Sequence, residues 1–298
     1  MRLSLSHPAR FPLALAATAL TLVGTAACAP EDATPLPATS AASGTASPSC
    51  TKDSLSLVTP GTFTVGTDKP AYEPWFSDND PTNGKGYESA VTYAVAEQLG
   101  FAKADVKWIT VPFTNAYAPG AKKFDVDVNQ VSITDARRKA VDFSSGYYDV
   151  AQAVVTSKDS PIAGATTLAA LKSAKLGAQV GTTSYTAITD QIQPDKKPAP
   201  YDTNDLAVQA LKNGQIDGLV VDLPTAFYVA AAELDGGKIV GQLPPGAGKV
   251  DSFGFVLALG SGLTSCVSTA VDALKTDGTL KKIEGQYLSN AGGAPLLQ

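Results

Sequence analysis

The run Phe124-Asp125-Val126-Asp127-Val128-Asn129-Gln130-Val131-Ser132-Ile133-Thr134-Asp135-Ala136-Arg137-Arg138 changes character halfway along. Apolar side chains first alternate through Phe124, Val126 and Val128, the period of a strand with a buried face. Polar residues follow, and Thr134 or Asp135 is placed to cap a helix that opens under the two arginines. This arrangement puts Asn129, Gln130, Ser132 and an arginine fork at the carboxyl end of a strand, where open α/β sheets bind ligands. A guanidinium grips a carboxylate through two parallel hydrogen bonds, which suits a small free acid. The same residues also fit an ordinary strand-to-helix junction with surface arginines, so the flanking chain has to decide.

On both sides the chain alternates short strands with helical patterns, the signature of the α/β class. Strands are predicted at 62–66 and 106–112, with an amphipathic helix at 87–99 ended by Gly100. Beyond the central stretch an apolar strand covers 151–156. A second series then offers a short helix at 168–173, a strand at 175–180 and a helix opening at Gly181-Thr182-Thr183-Ser184. A helix at 206–213 leads to a strand at 216–221 that delivers Asp222. A long strand at 249–259 and closing helices at 264–288 complete the pattern, without a solenoid-type repeat.

At 298 residues, 44% hydrophobic and 17% charged, the chain can hold two domains with separate cores. Its start differs from the rest. Arg2 and Arg10 precede the apolar residues 11–23, a run too short and alanine-rich for a membrane span. Val23-Gly24-Thr25-Ala26-Ala27-Cys28 resembles a bacterial lipoprotein signal, cleaved so that Cys28 becomes the lipid-bearing first residue; a plain secretory signal cut nearby is the alternative. Either reading exports the protein, and the first anchors it on the outer face of the cytoplasmic membrane. Losing residues 1–27 removes two of 23 basic residues against 28 acidic ones, so the formal charge moves from −5 to −7. An acidic protein without a basic run is a poor partner for nucleic acid. His7, the single histidine, leaves with the signal, which excludes Ser-His-Asp and Cys-His catalysis and histidine-ligated metal sites. Residues 29–49 are Pro, Ala, Ser, Thr and Gly with few bulky apolar groups, a disordered tether of roughly 25 Å mean span. Cys50 and Cys266 remain in an oxidising compartment. A C-terminal helix returning to the first lobe would bring them together as a disulfide; two buried thiols are the alternative.

Five marks, in order, are similar to those of extracellular solute-binding proteins of family 3, the polar-amino-acid ABC transporter class. They are Val65-Gly66-Thr67-Asp68 with Tyr72 and Trp75; Val131-Ser132-Ile133-Thr134 with Arg137; Val141-Asp142-Phe143-Ser144 with Tyr147-Tyr148; Val180-Gly181-Thr182-Thr183; and Asp222 after its strand. The resemblance covers residues 60–290. It implies a two-lobed type II periplasmic-binding fold, each lobe an α/β sheet, joined by a two-segment hinge near 151–158 and 249–258. The expected limits are a signal at 1–27, a lipidated tether at 28–52, lobe 1 at 53–155, lobe 2 at 156–250, and a return to lobe 1 with its C-terminal helices at 251–298. It further implies a monomer, without a cofactor, that hands a free polar amino acid to an ABC permease.

Such a ligand carries both charges, and burying it requires a partner for each. Arg137, five residues after Ser132, matches the family's carboxylate-binding arginine. Thr183 matches the carboxylate contact of the second lobe, where helix-opening N–H groups add to the grip. Asp222 takes the ammonium, and Ser132 assists at either end through its hydroxyl or carbonyl. Tyr72 and Phe113 match the aromatics that sandwich the ligand's aliphatic part, with Trp75 beside them. Asp68 matches a position facing the far charge of cationic ligands. Asn129 and Gln130 stand where relatives carry smaller residues, so they narrow the pocket or bond a polar side chain. No further arginine is placed for a second carboxylate, which argues against glutamate or aspartate. Taken alone, Thr182-Thr183 and Asp222 also read as helix caps, the aromatics as core, and Arg138 as a surface charge. A rival reading is an enzyme on the same fold, cyclohexadienyl dehydratase-like, using a cleft carboxylic acid; Glu73 is the glutamate nearest the mouth. A ligand-sensor module is the third reading.

Overall fold

The computed structural model describes residues 50–288 and 293–298. The expected signal (1–27), the lipid-bearing Cys28 and the tether through residue 49 lie outside the described residues. Cys50 is bonded to Cys266 with Cα atoms 5.2 Å apart. Lys52 meets Asp105 at 2.6 Å and lies over the Phe101 ring. Positions 50–52, expected to be the end of the tether, therefore belong to the folded body.

Strand β1 (Phe63–Thr67) is buried at every position, as a central strand covered on both faces must be. It pairs in parallel with β2 (Val106–Thr110) and β3 (Val126–Asp127). The sheet continues through β12 (Val256–Ala258) to β4 (Val141–Phe143), giving the order β2-β1-β3-β12-β4. Helix α1 (Tyr87–Gln98) turns Tyr87, Val91, Val95 and the following Leu99 inward, a four-residue spacing that keeps one face on the core. It stops at Gly100, whose φ of +86° lets the Phe101 amide return to the Ala96 carbonyl at 2.9 Å. The closing helices α6 (Thr264–Thr276) and α7 (Thr279–Tyr287) pack with α1.

The second sheet has the order β10-β6-β9-β7-β8. It consists of β6 (Gln152–Ser157), β7 (Leu176–Gln179), β8 (Ala199–Tyr201), β9 (Gly218–Asp222) and β10 (Gly237–Gln242). Leu219 and Val221 face one apolar cluster while Val154, Leu176 and Val220 face another, so this sheet too is covered on both sides. Helices α3 (Thr183–Ala187), α4 (Asn204–Lys212) and α5 (Leu223–Tyr228) follow β7, β8 and β9.

Four sequence expectations are corrected. Strand β6 lies wholly in the second sheet, so the chain enters that lobe before the expected boundary at 155/156. The crossing is a small antiparallel pair: β5 (Tyr148–Val150), just before the expected 151–158, against β11 (Asp251–Phe253), inside the expected 249–258. The single strand expected at 249–259 is split into β11 and β12 at Gly254, where a Cβ would sit 2.9 Å from the Ile133 side chain. The helix expected under the arginines is one 3-10 turn, Arg137–Lys139, because β4 begins two residues later. Finally, the last residues do not stay with lobe 1. Leu297 is buried beside Val240 and Leu243, and the Gln242 amide donates to the Pro295 carbonyl at 2.7 Å.

Candidate ligand-binding site

The parallel strands of both sheets end at one cavity. Asp68 follows β1, Asn129 and Gln130 follow β3, Thr182 and Thr183 follow β7, and Asp222 ends β9; all six line it, with Tyr72, Phe113 and Arg137. The cavity is small, about 50 Å³. A larger space of about 810 Å³ adjoins it at Thr183, but its walls are largely apolar, including Val150, Leu243, Pro244, Pro245 and Leu296. Opposed charges converge on the small cavity.

Arg137 is 8% exposed. Its amide donates to Thr134 Oγ1 at 3.2 Å, so Thr134, not Asp135, holds the start of the turn. The guanidinium is fixed from both lobes: Nη1 donates to the Ser132 carbonyl at 2.7 Å and Nη2 to the Gly181 carbonyl at 2.9 Å. Its central carbon lies 4.4 Å from the Tyr117 ring centroid and 5.5 Å from that of Phe113. Burial pushes its pKa below the usual arginine range, and Tyr117 and Asp222 oppose the shift. Five donors in a fixed fork leave capacity for a carboxylate after these two bonds.

Asp222 accepts from Gln152 Nε2 at 2.8 Å. Burial pushes its carboxyl up to about 7, with the Gln152 bond and Arg137 pulling the other way. The alternative reading of this residue as an N-cap is not met: its side chain makes no capping bond to α5. Thr182, by contrast, is a true cap, accepting from the Tyr185 amide at 3.1 Å, which leaves Thr183 facing the cavity. Thr183 Oγ1 and Ser132 Oγ are 3.1 Å apart across the lobes. Ser132 does not line the cavity, and its carbonyl, expected to receive the ammonium, already accepts from Arg137.

Asp68 lines the cavity with both oxygens engaged: Oδ1 accepts from the Lys69 amide at 2.7 Å and Oδ2 from the Phe113 amide at 3.1 Å. It therefore positions Phe113 on the cavity wall. Trp75 is the clearest correction. It is wholly buried, outside the cavity lining, and packs edge-on against Tyr87, Tyr148 and Phe253. Its indole N–H donates to Thr225 Oγ1 at 2.9 Å, a buried bond between lobes. Arg138 is exposed, over the Phe143 ring. Glu73, the acid of the enzyme reading, lies outside the cavity lining, with its carboxylate bonded to Ser77 Oγ and the Asp78 amide.

Gln152 and Asp205 were not anticipated. Gln152 is the polar residue in the otherwise apolar stretch 151–155, a signal that was available; besides Asp222 it bonds Ser184 Oγ at 2.5 Å. Asp205 lines the cavity from the first turn of α4, where its sequence reads as an ordinary helix-start acid.

Residues 63–290 match the family of bacterial extracellular solute-binding proteins, family 3. The chain belongs to that family. It is 29% identical over 235 residues to the ABC transporter arginine-binding protein 1 of Escherichia coli strain K12, covering 76% of this chain and 89% of that one. It is 31% identical over 231 residues to the L-cystine-binding protein TcyA of Bacillus subtilis strain 168, covering 76% and 81%. The solved structure of an ancestral arginine-binding protein bound to glutamine superposes with a TM-score of 0.65 at 30% identity, covering 77% and 98%. The fold is thus the two-lobed type II periplasmic-binding fold, and among the described residues no helix is long and apolar enough to cross a membrane.

Proposed function

We propose that the protein is the extracytoplasmic substrate-binding component of an ABC importer, anchored at the membrane through lipidated Cys28, that binds a free polar amino acid and delivers it to a permease. The observation that carries this reading is the convergence of Arg137 and Asp222, from opposite lobes, on one cavity. The ligand carboxylate takes the remaining donors of Arg137 with Thr183, and the ammonium takes Asp222. Tyr72 and Phe113 cover the aliphatic part. Binding and closure are coupled because only the closed arrangement supplies both partners. No chemistry on the ligand is part of this reading. Asp68 and Asp205 on the cavity wall favour a basic or amide side chain over an acidic one.

A thermal-shift screen of the twenty amino acids tests this. A ligand at a hundred times its Kd stabilises by about 2.7 kcal/mol, a rise of roughly 5 to 10 °C for a chain of this size. Arginine, lysine, histidine or glutamine is expected to give the largest shift and glutamate or aspartate the least; twenty flat traces would refute amino-acid binding.

The pH dependence has a definite sign. Asp222 must be ionised to receive an ammonium, and its carboxyl stands at about 7 before ligand arrives. Affinity is therefore expected to fall as pH drops below about 7, by up to about tenfold per unit. Ligand-free stability runs the other way: a carboxyl raised from 3.8 to about 7 weakens the fold as pH rises through that window. Calorimetric titrations at pH 5 and 8 giving equal Kd would contradict the assignment of Asp222.

A further inference from the structure

Glu88 is wholly buried yet plays no part in the site described above. It stands in the first turn of α1, where a negative charge is favoured by the helix dipole. Its carboxylate accepts three hydrogen bonds, all from neutral donors on two other segments. Oε1 accepts from the Gln130 amide at 2.7 Å and from the Tyr147 hydroxyl, and Oε2 accepts from Gln130 Nε2. Both the backbone and the side chain of one cavity residue thus end on a single carboxylate. The carboxylate lies in the interior of lobe 1, and that burial raises it to about 7.

Gln130 is also one of the few residues other than glycine at positive φ, +48°. A residue with a Cβ resists this left-handed conformation, which persists only where its surroundings impose it. The neighbouring chain is pinned on both sides. The Val128 amide donates to the Gly66 carbonyl at 2.9 Å, and the Val131 carbonyl accepts from Gly254 at 3.2 Å. Between those anchors the chain must turn over, and the turn carries Asn129 into the cavity wall. Asn129 is 7% exposed, with Nδ2 unpartnered.

Resting on the amino-acid-binding reading, we propose that Glu88 is a positioning residue for the ligand site: it clamps Gln130 in its left-handed turn and so sets Asn129 against the ligand side chain. Tyr147 is the brace that fixes the clamp. Its hydroxyl holds Oε1, and its carbonyl accepts from the Tyr87 hydroxyl at 2.7 Å, one residue before the interlobe strand β5. Glu88 does not touch ligand; it acts through the turn.

The test is a double-mutant cycle read by calorimetry with L-arginine and L-glutamine, together with hydrogen exchange at the Gln130 amide. Glu88→Met is expected to raise Kd at least tenfold and to expose the Gln130 amide to exchange. Glycine adopts the left-handed turn unaided, so in the Gln130→Gly background the same substitution is expected to change Kd by less than about threefold. Glu88→Gln, which keeps an oxygen for the Gln130 amide, should recover most of the affinity. If Glu88→Met does not fold, Glu88→Asp, too short by one methylene, enters the same cycle. Unchanged Kd, equal losses in both backgrounds, or an unaltered exchange rate at Gln130 would overturn the proposal. The two readings fail separately. Wild-type protein that binds none of the twenty amino acids removes the functional reading, and the exchange rate still decides the clamp.

Discussion

Asp222→Asn is expected to weaken binding of the cognate amino acid by about a hundredfold to several thousandfold while leaving the fold intact. Removing one member of a buried charge pair costs about 3–5 kcal/mol, because the other member stays buried without its counter-charge. Here the stranded group would be the ligand ammonium. The same substitution should make the ligand-free protein more stable near neutral pH, since it removes a carboxyl whose ionisation burial opposes. A general structural lesion would lower both quantities, so the opposite signs identify a ligand-directed charge. Arg137→Ala is expected to lose a comparable amount of affinity, but for it both signs are unfavourable. The guanidinium bonds the Ser132 and Gly181 carbonyls and packs on Phe113 and Tyr117. Isothermal titration paired with urea denaturation separates the cases; full affinity in Asp222→Asn would remove it from the site.

The second large effect concerns the Cys50–Cys266 bond, which closes a loop of sequence separation 216. The chain-entropy argument assigns such a closure about 5 kcal/mol, a fall in Tm of roughly 10 to 20 °C for a domain of this size. The double substitution Cys50→Ala with Cys266→Ala is expected to show that fall in scanning calorimetry, with ligand Kd nearly unchanged because neither residue lines the cavity. Cys266 is 1% exposed, so mild reductant should act slowly on folded protein. A melting temperature unmoved by the substitutions would show that the bond contributes little.

Much of this was legible in the sequence, and the gaps have physical causes. Arg137 and Asp222 were singled out through the family resemblance, because taken alone they also read as a surface arginine and a helix cap; the fold brings both to the cavity wall. The α/β alternation was readable because periodicity is local. Trp75 was misplaced because an aromatic beside a first strand looks the same whether it faces ligand or the opposite lobe. Its packing on Tyr87, Tyr148 and Phe253 and its bond to Thr225, 150 residues away, decide. The split at Gly254 was hidden because Phe253 and residues 255–259 on either side of it are all apolar, and a change of sheet partner leaves no periodic trace. Asp205 was hidden because an acid at a helix start has a sufficient local explanation. The docking of residues 295–298 on the second lobe rests on a few backbone bonds and Leu297, too short a segment to show a pattern.

The bond from Cys50 to helix α6 has a mechanical consequence. Any pull arriving from upstream of residue 50 enters the half of the molecule built on β1 and is taken up by its core, bypassing the interlobe strands β5 and β11. The half built on β9, which carries Asp222, is joined to that anchored half through the β5–β11 crossing, apart from the sulfur bond.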